Sequence, residues 1–255
     1  MANAQTKQQL AELNLSGLLK AYQALEQDLS FSEQTFDEKF AYLVNAEYER
    51  RINNRIQNRL REASFREAAN LHEIDYEPQR KLNRDLIERL ATNQWIRNKE
   101  NIIITGSTGT GKSYLAQALG THACRHDFKV KYYRLPELIH ELQFGKQANS
   151  YNKIRQSLKK KDILILDDWG MATLNVLTGH EIADLIEDRL KQKSTIVVSQ
   201  YPVHLWDQIF DDKTTADAVM DRLIHRAFVI PLEGPSRRQF TASEELKAYQ
   251  QSMLE

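Results

Sequence analysis

A glycine-rich stretch of the chain carries the residue types that bind a triphosphate. It reads Gly106-Ser107-Thr108-Gly109-Thr110-Gly111-Lys112-Ser113 and fits the pattern G-x-x-x-x-G-K-[ST]. In that pattern the glycines let backbone N–H groups surround an anion, the lysine reaches the β- and γ-phosphates, and the hydroxyl ligates Mg²⁺. We therefore predict that this stretch and the adjacent Tyr114 bind ATP, with Lys112 in a catalytic role and Ser113 on Mg²⁺. The alternative is a glycine-rich turn between a strand and a helix.

Two acidic residues form the second candidate for chemistry. Asp167 and Asp168 follow the apolar run Ile163-Leu164-Ile165-Leu166, which predicts a buried strand that ends where open α/β folds bind their ligands. We expect Asp167 to hold Mg²⁺, directly or through water, and Asp168 to accept a hydrogen bond from the attacking water. Two acids after a strand can also start a turn or cap a helix. Ser199 and Gln200 end a later apolar run, and they could orient the water, contact the γ-phosphate or serve the fold alone.

Two arginines near the end of the chain complete the candidate catalytic set. Arg222 and Arg226 lie four residues apart, which puts them on one face of a predicted helix. A guanidinium at a subunit edge can stabilise the charge on a neighbour's γ-phosphate. The alternative is a surface salt bridge with Asp217 or Asp221.

The flanking sequence predicts the elements that must position these residues. Apolar strands alternate with helices, which is the pattern of a parallel sheet covered by helices. The predicted strands are residues 102–105, 130–134, 163–166, 195–200 and 227–232, and the predicted helices include 112–125, 136–144 and 180–190. The phosphate-binding stretch then lies between the first strand and its helix, as its motif requires.

The N-terminal part of the chain is polar and has the spacing of helices. Its apolar residues predict a first helix over about residues 13–25 and a second after Ser32. They also predict a third, on which Tyr48, Ile52, Ile56 and Leu60 recur every fourth residue. A domain boundary near residue 70 follows from the change in composition there and from Pro78, which disfavours helix at the residue before it.

Basic residues cluster in two places. Arg51, Arg55 and Arg59 recur every fourth residue on the third predicted helix, with Arg50 beside them. A second cluster consists of Lys146, Lys153, Arg155, Lys159, Lys160 and Lys161. Such rows can lie along the phosphates of double-stranded DNA. They can equally be solvated faces whose charge neighbouring acids balance.

The bulk composition narrows the class of protein. The chain has 255 residues, and its 35 Lys and Arg balance its 35 Asp and Glu, so any polyanion site must come from local clustering. The single cysteine, Cys124, excludes an internal disulfide and suits a packed thiol in a reducing compartment. The N-terminus lacks the apolar segment of a signal peptide, and no apolar run is long enough to span a bilayer. We therefore expect a soluble, cytoplasmic protein with no membrane partner.

Taken in order, these segments resemble an AAA+ ATPase and, within that class, the IstB/DnaC-like group, which includes the transposition helpers of bacterial insertion sequences. The resemblance rests on residues 13–18, 63–65, 101–106, 111–116, 164–170, 199–202 and 221–226. It implies an α/β fold: an AAA+ P-loop NTPase core with a parallel five-stranded sheet between helices and a truncated C-terminal lid, preceded by a small all-helical N-terminal domain. Residues 1–70 would be that helical domain, for DNA or partner binding, and residues 71–255 the ATPase domain. A single helix over residues 243–253 is all that we expect after the last strand.

The resemblance also implies a function and roles for residues. It implies an oligomeric ATPase that holds ATP and Mg²⁺ between neighbouring subunits, grips double-stranded DNA, and recruits or stimulates the transposase of the same insertion element. By position, Lys112 and Ser113 match Walker A, Asp167 and Asp168 match Walker B, Ser199 and Gln200 match sensor I, Arg222 or Arg226 matches the arginine finger, and Arg238 matches a second sensor. Many AAA+ proteins have glutamate where Asp168 stands, so we expect slow hydrolysis, as suits a switch.

Three other functions share part of this evidence. A replicative helicase loader has the same core and differs in what its N-terminal helices bind. A small-molecule kinase of the P-loop type usually begins near its phosphate loop and carries a lid, whereas a long segment precedes the loop here. A DNA-binding scaffold could hold ATP without cleaving it.

Overall fold

The chain divides into two units in the computed structural model, which describes residues 2–27 and 33–237. Met1–Asn58 forms one unit and Arg59–Glu255 the other. The boundary predicted near residue 70 falls within the second unit and stays a prediction. Ser32, Arg238 and the helix predicted over residues 243–253 lie outside the described residues.

The described part of the first unit is helical. Its helices are α1 (Ala2–Glu12), α2 (Ser16–Gln27) and α3 (Phe36–Ala63), and residues 59–63 of α3 belong to the second unit. Asn14 has a left-handed φ of 57°, so the helix predicted from residue 13 is wrong at its start. The predicted division between a second and a third helix is also wrong, because α3 is continuous. Its apolar residues keep their four-residue spacing from Phe36 to Leu60 without glycine or proline, so nothing ends the helix there.

A parallel sheet forms the centre of the second unit. Its strands are β1 (Asn101–Gly106), β2 (Val130–Arg134), β3 (Ile163–Trp169), β4 (Ser194–Ser199) and β5 (Ala227–Leu232). Their order is β2-β3-β4-β1-β5, and every pairing is parallel. The predicted parallel five-stranded sheet is therefore confirmed. Because β4 lies between β1 and β3, its polar end lies between the phosphate-binding stretch and the two acids.

Helices flank this sheet along the described part of the second unit. They are α4 (Arg84–Ala91), α5 (Gln94–Arg97), α6 (Lys112–Arg125), α7 (Leu135–Gln147), α8 (Tyr151–Lys159), α9 (Val176–Arg189) and α10 (Lys213–Ile224). The bounds predicted for α6 are confirmed, whereas α9 begins earlier than predicted because Asn175 caps it by accepting from Thr178 N at 3.0 Å. Across the described ranges, no helix has both the length and the apolar character that crossing a bilayer requires.

The strands β1, β3 and β4 are buried almost along their whole length, and because successive side chains point in opposite directions, both of their faces pack in apolar layers. Ile102 and Ile104 of β1 pack in one apolar layer with Leu115 of α6, and Ile103 packs in a second layer with Leu138 of α7. Cys124 belongs to the first layer, and burial raises the pKa of its thiol to about 12. The sheet is thus a rigid platform whose carboxyl edge carries the candidate site.

Candidate nucleotide-binding site

The glycine-rich stretch forms a tight loop between β1 and α6. Gly106 has a φ of 145°, and a Cβ there would lie 2.1 Å from the carbonyl oxygen of Leu232. Gly109 has a φ of 84°, and a Cβ there would lie 2.0 Å from the hydroxyl of Ser236. Both positions therefore require glycine. The loop ends at the N-terminus of α6, where unpaired N–H groups and the helix dipole favour an anion.

Lys112 is the first residue of α6 and is only 7% exposed. Its Nζ donates to the carbonyl oxygen of Ser107 at 2.7 Å, and the hydroxyl of Thr110 donates to the same oxygen at 2.9 Å. Two donors on one carbonyl hold the loop in its turn. The ammonium therefore lies against the loop, within reach of phosphates that the loop would bind.

Two arginines that the sequence analysis missed support this loop. Arg80 donates from Nη2 to the carbonyl of Thr110 at 2.8 Å and from Nη1 to the carbonyl of Asp75 at 2.7 Å. Arg237 donates its backbone N–H to the carbonyl of Gly109 at 2.9 Å, and its guanidinium bonds the Asp75 carboxylate. Burial lowers the pKa of Arg80. Neither arginine belongs to a motif, so only the fold reveals their contact with the loop.

Asp167 lies at the carboxyl edge of the sheet and is 3% exposed. Its Oδ2 accepts from the hydroxyl of Tyr132 at 2.7 Å, and its Oδ1 accepts from the N–H of Asp168 at 2.8 Å. Burial, followed by the charge of Asp167, raises the pKa of Tyr132. The tyrosine therefore remains a hydrogen-bond donor to the carboxylate. Sequence analysis gave no sign of this contact.

Asp168 occupies an irregular position in β3, which runs on to Trp169 beyond its predicted end. Asp168 has a left-handed φ of 58°, and the register between β3 and β4 shifts between Leu166 and Trp169. Such irregularities redirect side chains and are common beside functional sites. The Oδ2 of Asp168 accepts from Nε of Arg134, at the end of β2. The acid predicted to hold the attacking water is therefore paired with an arginine that sequence reasoning did not consider.

Ser199 and Gln200 have different surroundings. The Ser199 hydroxyl is buried, donates to the carbonyl of Trp169 at 2.8 Å and accepts from the N–H of Tyr201 at 3.0 Å. Gln200 Oε1 accepts from the hydroxyl of Thr108, in the phosphate loop, at 2.8 Å. Ser199 thus joins β4 to β3, while Gln200 reaches across to the loop.

A single cleft of about 1270 Å³ brings most of the predicted nucleotide-binding residues together. Those that line it are Thr108, Gly109, Gly111, Lys112, Ser113, Tyr114, Asp167, Asp168, Ser199 and Gln200. Gly106, Ser107 and Thr110 build the loop behind this lining. Pockets of roughly 300–1,000 Å³ hold drug-sized ligands, so the cleft has room for ATP.

The donors in the cleft suit Mg²⁺. The hydroxyl of Ser113 and the carboxylate of Asp167 both line it, and Mg²⁺ prefers oxygen ligands, typically one or two carboxylates together with substrate phosphates. Within the described ranges, no group of three or more His, Cys, Asp or Glu could hold a metal ion by itself. The residues present therefore fit a Mg²⁺ that arrives with a nucleotide.

Arg222 and Arg226 lie at the other end of the sheet. α10 carries Arg222 and leads into β5, whose first residue, Ala227, pairs with Asn101 at the start of β1. The phosphate loop follows the opposite end of β1. Arg222 forms a salt bridge, but with Glu187 and not with the acids named as alternatives. Arg226 is exposed, and within the described residues it makes no ion pair. The structure therefore brings neither arginine to the cleft of its own chain.

Part of the arginine row on α3 is bonded to an acid of the same helix. Glu47 is buried and accepts from Nε of Arg50 at 3.0 Å and from Nε of Arg51 at 2.8 Å. It also accepts from the N–H groups of Gly17 at 2.9 Å and Leu18 at 3.3 Å, in the first turn of α2. The hydrogen bond from Arg50 is the main reason that the pKa of Glu47 falls to about 2. The carboxylate caps α2, for which Leu15 has no capping side chain.

The other candidate DNA-binding residues fall into two groups. Several are in ion pairs: Arg59 with Asp127, Lys146 with Glu181, Arg155 with Asp184 and Asp188, and Lys159 with Asp188. Arg55, Lys153 and Lys160 are exposed, and in the part of the chain that the structure describes Lys153 and Lys160 make no ion pair. The unpaired lysines are therefore better placed to contact a polyanion than the paired residues, whose charge a neighbouring acid already offsets.

Comparison with known proteins gives the family context. Residues 8–245 match the sequence model of a family described as IstB-like ATP binding protein. The protein y4pL of Sinorhizobium fredii, described as an insertion sequence ATP-binding protein, is 37% identical over 92% of this chain and 96% of its own. An ATP-binding protein of insertion sequence IS1162 from Pseudomonas fluorescens is 36% identical over 79% of this chain and 88% of its own. The solved structure of DnaI, 21% identical, covers 69% of this chain and 93% of its own with a TM-score of 0.56. This likeness confirms the predicted fold of the core, a parallel sheet between helices.

Proposed function

The chain belongs to the family of IstB-like ATP binding proteins, and from this premise we propose that it is an ATP-hydrolysing helper of DNA transposition. It binds ATP with Mg²⁺, assembles with copies of itself on double-stranded DNA, and recruits or stimulates the transposase of its insertion sequence. The names of the relatives, which refer to insertion sequences and to ATP binding, support the link to transposition. The observation that carries the proposal is the cleft in which the phosphate loop, Asp167, Asp168 and Gln200 converge.

Each side chain of the cleft has a role that its chemistry allows. The loop N–H groups and Lys112 hold the triphosphate, and Ser113 and Asp167 hold Mg²⁺. When bound, Mg²⁺ would supply positive charge that offsets the charge of the phosphates. Asp168 accepts a hydrogen bond from the attacking water, and Gln200 helps to orient that water. Because Asp168 is paired with Arg134, the arginine competes with the attacking water for the same carboxylate, and this competition is a physical reason for slow basal hydrolysis.

Assembly follows from the positions of the arginines. One protomer carries the phosphate loop at the carboxyl edge of its sheet and Arg222 and Arg226 at the other edge. Arg222 or Arg226 can reach a γ-phosphate only if a second protomer presents this opposite edge to the cleft. ATP then lies at a subunit interface and strengthens it, so nucleotide acts as an assembly signal.

DNA binding rests on the exposed cations. Lys153 and Lys160, on and directly after α8, and Arg55, on α3, are the foremost candidates, and the ion-paired Arg50, Arg51, Arg59, Lys146 and Lys159 would add to them once DNA is bound. We retain residues 1–70 as a helical domain for DNA or partner binding and residues 71–255 as the ATPase domain. The charge of the whole chain is balanced, so DNA affinity must come from these local surfaces.

One experiment tests the proposed activity. Phosphate release from ATP is measured with the full chain alone, with long duplex DNA, and with DNA plus the transposase of the same element. We expect slow release alone and faster release with DNA and transposase. ATP binding without release under all three conditions would indicate a scaffold. Consumption of ATP that depends on an added metabolite instead of DNA, with the phosphoryl group transferred to that metabolite, would indicate a kinase.

A second experiment tests the partner. The ATP-bound protein on DNA is used to capture either the transposase or a hexameric replicative helicase, both purified. Capture of the transposase alone supports the proposal. Capture of the helicase alone would make the protein a helicase loader.

The DNA surface is tested by salt dependence. Replacing Lys153 and Lys160 together by alanine should flatten the plot of log affinity against log salt by about 0.9 for each phosphate that the variant no longer neutralises. The control is Lys81→Ala, which removes an exposed lysine that is paired with Glu233. An unchanged slope in the double variant would assign these lysines to a solvated face.

A further inference from the structure

Two adjacent tyrosines of β2 have different surroundings. Tyr132 is 4% exposed and packs in the apolar layer that contains α6, whereas Tyr133 packs against the opposite layer. The hydroxyl of Tyr132 donates to Oδ2 of Asp167 at 2.7 Å. Burial, followed by the carboxylate of Glu141 on α7, raises the pKa of Tyr133. The strand therefore carries one hydroxyl into the nucleotide cleft and one away from it.

The Tyr132 hydroxyl donates one of the two hydrogen bonds that orient the Asp167 carboxylate. Asp167 is almost fully buried, and among the hydrogen bonds of the described residues it accepts one from Tyr132 and one from the backbone of Asp168. Each oxygen thus has one donor and keeps a further lone pair for a ligand. With its rotation fixed from two sides, the carboxylate presents those lone pairs in one direction.

Such an arrangement matters for a metal ligand because Mg²⁺ demands near-ideal octahedral geometry. Groups that hydrogen-bond a ligand fix its orientation, and their loss typically weakens metal affinity or activity by about 10- to 100-fold. The register of the sheet makes the contact possible, since Tyr132 pairs with Ile165 and Arg134 with Asp167. Tyr132 therefore lies two residues before the acid along neighbouring strands, within the reach of a long side chain.

We propose that Tyr132 is a positioning residue for the divalent metal: its hydroxyl holds the carboxylate of Asp167 in the orientation that ligates Mg²⁺ bound with ATP. This inference rests on the proposed function, because it assumes that MgATP occupies the cleft. In this proposal β2 orients the metal-binding carboxylate, which neither the phosphate loop nor the two acids do by themselves.

The test compares two single-atom deletions. Tyr132→Phe removes the hydroxyl that contacts Asp167, and Tyr133→Phe removes its neighbour on the opposite face. Binding of a fluorescent ATP analogue to the full chain is measured in EDTA and then against increasing Mg²⁺. We expect Tyr132→Phe to bind the analogue normally in EDTA but to need about tenfold more Mg²⁺ for half of the metal-dependent change. Tyr133→Phe should match the wild type in both measurements.

A double-mutant cycle separates positioning from general packing. If the hydroxyl acts through Asp167, adding Tyr132→Phe to Asp167→Asn should change the Mg²⁺ requirement no further. An unchanged Mg²⁺ requirement in Tyr132→Phe, or full additivity with Asp167→Asn, would overturn the proposal. If neither the wild type nor the Tyr133→Phe control binds the analogue at all, the proposed function itself is wrong.

A second measurement keeps the tyrosine hydroxyl in place. 3-Fluorotyrosine is introduced at position 132 or, as a control, at position 133, and its ¹⁹F resonance is followed as Mg²⁺ is added to the ATP-bound protein. We expect the signal at 132 to shift and the signal at 133 to stay. A stationary signal at 132 would overturn the proposal even if Tyr132→Phe fails to fold.

Discussion

An acid forms an ion pair with arginine both in the nucleotide cleft and on α3. In the cleft the pair borders a solvent-accessible cavity, whereas on α3 the acid is buried. In the cleft, Asp168 and Arg134 line a cavity beside the phosphate loop. On α3, Glu47 is buried and accepts hydrogen bonds from Arg50, Arg51 and the first turn of α2. The first pair can exchange its contact for a ligand, whereas the second has its oxygens occupied by the fold.

This difference shows why residue type and spacing alone do not distinguish a site from a structural contact. Both regions have a pattern that looks functional in the sequence: two acids after an apolar strand in one, and arginines that recur every fourth residue on a helix in the other. What separates them is whether the acid borders a cleft or meets several fixed donors. Substitutions in the cleft should therefore change nucleotide handling, and substitutions around Glu47 should change stability.

The largest effect should come from the arginine that we propose completes the cleft of a neighbouring subunit. Arg226→Ala should lower the rate of ATP hydrolysis on DNA by about 10³-fold or more, since such guanidiniums contribute about 10³–10⁵ in rate. Arg222→Ala should have a smaller effect because Glu187 already holds its guanidinium. Steady-state phosphate release from the assembled protein measures both.

Mixing two inactive variants tests whether the arginine acts between subunits. Arg226→Ala protein has an intact loop, and Lys112→Ala protein has an intact Arg226. Combined, they should recover part of the wild-type rate, because some interfaces then contain both groups. No recovery at any ratio would indicate that the arginine does not act in trans.

Loss of Lys112 should have the next largest effect. Lys112→Ala removes the charged donor that we propose for the phosphates. Hydrogen bonds of charged groups contribute about 1.5–3 kcal/mol, so ATP affinity should fall about 10- to 100-fold. DNA binding should then no longer depend on ATP. Nucleotide titration and DNA binding with and without ATP provide the measurement, with Lys81→Ala as the control. If DNA binding by Lys112→Ala still depends on ATP, nucleotide binding through Lys112 does not drive assembly on DNA.

Release of Asp168 should have a smaller effect of opposite sign. Arg134→Gln removes the guanidinium that is paired with Asp168. Basal hydrolysis should therefore rise roughly tenfold, which is a part of the 10²–10⁴-fold that a positioned base can contribute. The stimulation of hydrolysis by DNA should become smaller. Arg84→Gln is the matched control because Arg84 also pairs with an acid, Glu88 of α4, and belongs to neither basic cluster. A fall in basal turnover would mean that Arg134 supports Asp168 instead of restraining it.

Much of the fold and of the site could be predicted from local sequence. The bounds of α6 and β5 were predicted as they are, because a continuous motif and an uninterrupted apolar run specify them. The convergence of Lys112 and Asp167 follows from the rule that parallel strands end at one sheet edge. Their roles remain predictions until nucleotide binding is measured.

The contacts that tune the site could not be predicted, because sheet order brings distant residues together. Arg80 reaches the loop, and Tyr132 and Arg134 reach the acids, across long stretches of chain. The apolar spacing predicts α3 correctly, but the predicted end of a helix before Tyr48 is wrong, because polar residues alone do not end a helix. The capping of α2 by Glu47 likewise joins residues on different helices.

The smallest effect should be on stability. Glu47→Gln should destabilise the helices of the first unit by about 1–2 kcal/mol, the scale of a lost helix cap, because α2 loses its charged acceptor and Arg50 and Arg51 lose their partner. Thermal unfolding of the full chain, followed by circular dichroism at neutral pH, measures the loss. Glu49→Gln is the control, since Glu49 is exposed on the same helix.

The stability that the Glu47 carboxylate contributes should fall as the pH is lowered. The pKa of Glu47 is about 2 in the folded protein and 4.5 ordinarily, so its stabilisation is complete above about 4.5 and is lost as the pH falls towards 2. The wild type should therefore approach the Glu47→Gln variant in stability across that range. A constant difference between them would mean that the carboxylate charge is not what stabilises α2. If the variant binds ATP with unchanged affinity at pH 7, the Glu47 contact serves the fold alone. Reduced affinity would mean that this contact, like the cleft, affects nucleotide binding.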